Sequence, residues 1–73
     1  MLFGKTKKIV EDKEAEIKLN LSNNYKDAAY KSFLEFVSVI KDLRNDGKIS
    51  AKDFDKLSSR VEEYRKKFRN YIN

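Results

Sequence analysis

The chain has 73 residues, 40% of them charged, with a net charge of +5. It contains no Cys and no His. That removes a disulfide framework and a thiolate metal site, along with the commonest metal ligand and the commonest general base. No Pro is present and only Gly4 and Gly47 interrupt the chain, a composition that suits long helices whose outer faces carry ion pairs.

A chain of this length forms one domain, residues 1–73, with a small core that needs well-formed elements or a second copy to be stable. Residues 1–5 are expected as a disordered N-terminus. "MLFGKTKK" (residues 1–8) has two large apolar residues behind Met1 but no apolar run, so no secretory signal is read here. Leu2 and Phe3 are too few to hold the chain on a membrane surface. No stretch approaches the length of a membrane span, and a cytoplasmic location is the expectation.

In chain order, the first element is a helix over about residues 6–21. Val10, Ile17 and Leu21 recur at helical spacing, with Ile9 beside them. Ala15, Ile17, Leu19 and Leu21 also alternate as a half-buried strand would. The strong helix formers of "EDKEAEIK" favour the helix. The apolar stripe is thin. "LSNN" at 21–24 breaks the pattern, and Asn24 with Asp27 three residues on has the form of a helix cap.

The second helix is expected over 25–46. Ala29, Phe33, Phe36, Ile40 and Leu43 step by fours and threes, an unbroken seam. A second row, Tyr30, Leu34 and Val37, widens the apolar arc. The third helix is expected over 51–72, with Phe54, Leu57, Val61, Tyr64, Phe68 and Tyr71 in the same rhythm. Glu62 before Lys66 and Glu63 before Lys67 suit support along the helix. Arg65, Lys66, Lys67 and Arg69 suit its C-terminal dipole.

The two seams match across the intervening turn. Folding back pairs Leu43 with Phe54, Ile40 with Leu57, Phe36 with Val61, Phe33 with Tyr64 and Ala29 with Phe68. In every pair the residue numbers add to the same total, and continuing the register sets Tyr25 opposite Ile72. The fold class is therefore all-α: a three-helix bundle built on a long antiparallel helical hairpin, each arm about 22 residues or roughly 33 Å long. The hairpin leaves Tyr30, Leu34 and Val37 uncovered. The first helix is expected to cover them, with a second copy of the chain as the alternative.

"LRNDGKISAKDF" (residues 43–54) joins the two arms. Its back half resembles a calcium-binding EF-hand loop, which would place Asp42 at the first ligand position, Asp46 at the fifth and Asp53 at the twelfth. Arg44 then falls where an acceptor oxygen is required, and the short Asp53 replaces the Glu that normally binds through both oxygens. A capped turn accounts for the same residues better. Gly47 ends one helix in the left-handed conformation. Ser50 caps the next with Asp53 at its third position, and Ile49 with Phe54 forms a hydrophobic staple. No metal or cofactor is expected. "LRNDGKISAKDFDKL" (residues 43–57) also resembles the helical hairpins of short bacterial oligomerisation domains of the SHOCT type. That resemblance implies association with copies of itself or with other chains.

"GKT" at 4–6 lacks the upstream glycine and strand of a phosphate-binding loop. The acidic residues, Asp12, Glu14, Glu35, Asp42 and Glu62 among them, are expected on outward faces amid Lys and Arg. No carboxylate pair in an apolar setting is read, and so no catalytic site. The expected function is a small non-enzymatic protein–protein interaction module, an adaptor, inhibitor or regulator that acts on a protein partner or on a second copy. Tyr30, Leu34 and Val37 are its candidate contact residues. The alternative is nucleic-acid binding through Arg60, Arg65, Lys66, Lys67 and Arg69, where "YRKKFRNY" (residues 64–71) interleaves cations with aromatics. The seam already claims those aromatics, and an up-down-up bundle sets this cluster at the opposite end from Lys5, Lys7 and Lys8.

Overall fold

The computed structural model describes residues 4–72 of the backbone, with side chains described for residues 4–69. Three α-helices follow in order: α1 (Gly4–Ser22), α2 (Lys26–Asn45) and α3 (Ala51–Ile72). They form an all-α bundle of 34 × 20 × 15 Å with α2 in the middle. The alternating stretch 15–21 is helical throughout. No partner strand exists among the described residues, so helix propensity decides it. Met1, Leu2 and Phe3 lie outside the described residues, and the helix already includes Gly4 and Lys5.

Both turns stop a helix in the same way. At the end of α2, the Gly47 N–H donates to the Arg44 carbonyl at 3.1 Å and the Lys48 N–H to the Leu43 carbonyl at 2.9 Å, with Gly47 at φ +72°. This pair of bonds around a left-handed residue is the Schellman motif. At the end of α1, Asn24 donates to Leu21 at 3.0 Å and Tyr25 to Asn20 at 2.8 Å, with Asn24 at φ +61°. Asn24 therefore terminates α1 and does not cap α2 as the sequence suggested. Asn tolerates the left-handed region better than most residues, and here the stop signal outweighs the start signal. Tyr25 stands at the N-cap of α2 with no side-chain cap bond.

The start of α3 matches expectation. The Asp53 N–H donates to Ser50 Oγ at 3.1 Å. Ile49 is buried, and Phe54 packs on the core cluster. The cap satisfies an N–H that the helix cannot, while the staple residues fix the angle at which the chain enters.

The seam residues of α2 and α3 make up most of the core. Phe33 and Phe36 are the largest fully buried side chains. The Phe33 ring lies 6.3 Å from Tyr64, the expected pair, and 5.3 Å from Phe68. Phe36 meets Tyr64 edge-on at 6.1 Å. Phe33 thus nests between the successive α3 rings Tyr64 and Phe68, and such aromatic pairs add roughly 0.5–1.5 kcal/mol beyond burial. Tyr71 and Ile72, the last members of the expected register, have no described side chains.

Helix α1 contributes only Val10 and Ile17 as fully buried residues, with Leu21 partly buried. It approaches α2 more closely than α3 does. The small Ser32 stands at that contact, whereas phenyl rings lie between α2 and α3. Among the described residues, α1 reaches α3 through side chains only.

Candidate functional site

The position of α1 corrects one expectation. It lies on the flank of α2 that carries Ser32, Glu35 and Val39, not over Tyr30, Leu34 and Val37. Asn20 Nδ2 donates to the buried Ser32 Oγ at 3.2 Å, and Lys13 Nζ bonds Glu35 Oε1 at 3.0 Å. The reason is chemical. The face of α1 that meets α2 carries Lys13 and Asn20 between its apolar residues, and these need the polar partners found on that flank.

Tyr30 and Val37 turn instead toward α3. The Tyr30 ring meets Phe68 edge-on at 5.4 Å. Val37 lines a groove of about 160 Å³ with Ile40, Lys41, Phe54, Ser58, Val61, Glu62 and Arg65. Both side chains remain partly exposed, and Leu34 between them is 49% exposed. The three candidate contact residues thus form an apolar strip along one side of α2, uncovered at its centre. Around Leu34 on the same outward face stand Asp27, Lys31, Ser38 and Lys41, all exposed.

A second constellation joins α1 to α3. The Glu14 side chain is only 14% exposed, which corrects its expected place on an outward face. Its Oε1 accepts from Arg60 Nη1 at 3.0 Å and its Oε2 from the Tyr64 phenol at 2.9 Å. Lys18 Nζ lies 3.9 Å from Oε2. Burial, and then the bond to Glu14, push the Tyr64 phenol well above its ordinary pKa. The spacing carried a signal for this, since Glu14 lies four residues after Val10 and three before Ile17 on the buried stripe of α1. Its charge and the thinness of the stripe pointed outward, and its partners on α3 are not legible from α1 alone. Lys13, bonded to Glu35 and then to Glu16, is also held above the usual ammonium range.

The five candidate nucleic-acid-binding residues, Arg60, Arg65, Lys66, Lys67 and Arg69, do not gather on one face of α3. Arg60 is bound to Glu14 on the α1 side. Lys67 Nζ stands 5.6 Å from the Tyr64 ring centre. Arg65 lies on the other flank, 5.7 Å over the Phe33 ring and 3.4 Å from Glu62. Lys66 and Arg69 are exposed. The start of α3 lies beside the start of α1, where Lys7, Val10, Asp53, Leu57 and Arg60 line a cavity of about 250 Å³. The C-terminal cations therefore stand at the far end from Lys5, Lys7 and Lys8, as an up-down-up bundle requires.

In the turn at 46–50, Arg44 Nη1 donates to the Ile49 carbonyl at 3.2 Å. The residue at the third ligand position of the EF-hand resemblance thus braces the loop from within as a cation. Among the described residues, no group of three or more Asp or Glu is arranged to hold a metal ion. No helix among them is long and apolar enough to cross a membrane.

Among the described residues, fold and surface together define a small helical bundle with an apolar strip along the outer face of α2, open at Leu34. Compared with family models, curated proteins and solved structures, the chain has no match.

Proposed function

We propose that the protein is a non-enzymatic interaction module that works in the cytoplasm by presenting the outer face of α2 to a protein partner. The observation that carries this reading is Leu34, half exposed at the centre of the Tyr30–Leu34–Val37 strip although both neighbouring helices pack on α2. A helix partner laid along such a strip would bury apolar side chains at helical spacing and meet a charged rim, the arrangement of helix-in-groove recognition. The test compares immobilised wild type with Leu34→Asp in extracts of the native host. Proteins held by the wild type and lost by the variant, with helical circular dichroism unchanged, support the reading. Identical captured sets overturn it.

Nucleic-acid binding has less support. Arg60 is committed to an ion pair with Glu14, and Arg65 and Lys67 lie against rings of the core. Affinity for DNA or RNA that falls steeply with salt would favour it over the protein-partner reading.

A further inference from the structure

Asp27, Tyr30, Leu34, Val37 and Lys41 step by three, four, three and four along α2, forming a second seam on the side away from α1. Its centre is apolar and its ends carry opposite charges. Asp27 and Lys41 are exposed, and neither has an ion pair among the described residues. The seam spans roughly 21 Å at 1.5 Å per residue.

We propose that the occupant of this seam is a second copy of the chain, docked α2 against α2 in antiparallel orientation about a two-fold axis through Leu34. This rests on the interaction reading above and names its partner. The charge pattern selects both copy and direction. About that axis Leu34 meets the partner copy's Leu34. Asp27 faces Lys41 of the partner copy at one end, and Lys41 faces Asp27 at the other. A two-fold interface must be self-complementary in this way, each residue pair occurring twice. Parallel pairing would set Asp27 against Asp27 and Lys41 against Lys41, which like-charge repulsion opposes. Antiparallel pairing also opposes the two helix dipoles. Tyr30 and Val37, already braced by α3, form the walls beside the central leucines.

The experiment is sedimentation equilibrium of the full chain up to roughly 1 mM, the weak end of specific association. A dimer of twice the 8.6 kDa chain mass is expected. Asp27→Lys and Lys41→Asp each set like charges together and are expected to weaken the dimer about tenfold or more. The double variant Asp27→Lys/Lys41→Asp restores opposite charges and is expected within about threefold of wild type by the same pairing logic. All four positions of the proposed charge pairs are exposed, so circular dichroism should show intact helices in each variant. A wild type that stays monomeric, single variants that dimerise like wild type, or a double variant no tighter than the singles would each overturn the proposal. A monomeric wild type whose captured proteins are still lost on Leu34→Asp would overturn self-association alone and leave the protein-partner reading standing.

Discussion

Helix α2 is held on its two flanks by different chemistry. Against α3 it buries stacked and edge-on rings: Phe33 and Phe36 with Tyr64 and Phe68. Against α1 it makes a closer but more polar contact, in which Lys13 lies between Val10 and Ile17 and bonds Glu35, and an Asn–Ser hydrogen bond fixes the far end. Glu14 ties the same helix to α3. The hairpin is therefore stabilised by area, and the docking of α1 by matched polar groups. Area tolerates small shifts, because dispersion and hydrophobic burial have little direction. Buried polar pairs do not, because a misplaced partner leaves a group unsatisfied. The two flanks should respond differently to mutation and to solvent.

The largest effect is expected on the aromatic flank. Phe36→Ala removes a fully buried ring and should cost about 3–5 kcal/mol, a large share of what so small a domain has. Urea unfolding followed by circular dichroism would show it, and a loss below about 1 kcal/mol would mean the aromatic layer is not the principal support.

The docking of α1 by polar groups extends to α3, where Glu14→Ala leaves the Tyr64 phenol and Arg60 without their shared acceptor. It should cost about 1–3 kcal/mol. The loss should fall mainly on α1. Native-state hydrogen exchange is the measurement: α1 amides should open at lower free energy than those of α2 and α3, and Glu14→Ala should widen that gap. Uniform protection across the three helices would contradict the contrast between the flanks.

The turns provide a smaller, backbone-level comparison. At Gly47 an added Cβ would meet nothing within 4 Å, yet φ is +72°. Gly47→Ala should therefore cost about 1–2 kcal/mol through conformation alone. Asn24→Gly, at φ +61°, should instead stabilise by a few tenths of a kcal/mol to about 1 kcal/mol, since Gly adopts this region freely. Chemical denaturation of both variants checks the opposite signs.

The pH dependence sharpens the polar flank further. The Tyr64 phenol has a folded-state pKa raised above its unfolded value. Its contribution is thus complete below the unfolded value of about 10 and is lost as pH rises above it, because the unfolded chain releases the proton first. Lys13 is shifted the same way and acts in the same alkaline window. The urea midpoint should fall above about pH 10, and Tyr64→Phe should flatten that fall more than Lys13→Met. The smallest effect is expected at the exposed Lys8–Asp12 pair: Lys8→Ala should change stability by less than about 1 kcal/mol.

The hairpin was legible because its signals are local and periodic. Seam spacing gave the buried faces of α2 and α3. Gly47, Ile49, Ser50 and Phe54 gave the turn that sets their register, and Phe33 does meet Tyr64. The candidate strip Tyr30–Leu34–Val37 was legible as apolar. Which helix would lie beside it was not, since an apolar row reads the same whether a neighbour covers it or leaves it open.

The sequence by itself determined three helices, their breaks and the ring-filled seam, because helix propensity, hydrophobic period and turn chemistry act within a few residues of one another. Only the tertiary structure decided that α1 takes the Ser32–Glu35 flank, that Glu14 is drawn inward to bind Arg60 and Tyr64, and that Leu34 stays open. Those outcomes depend on polar partners that lie from 12 to 50 residues apart in the chain. They come together only when the helices pack.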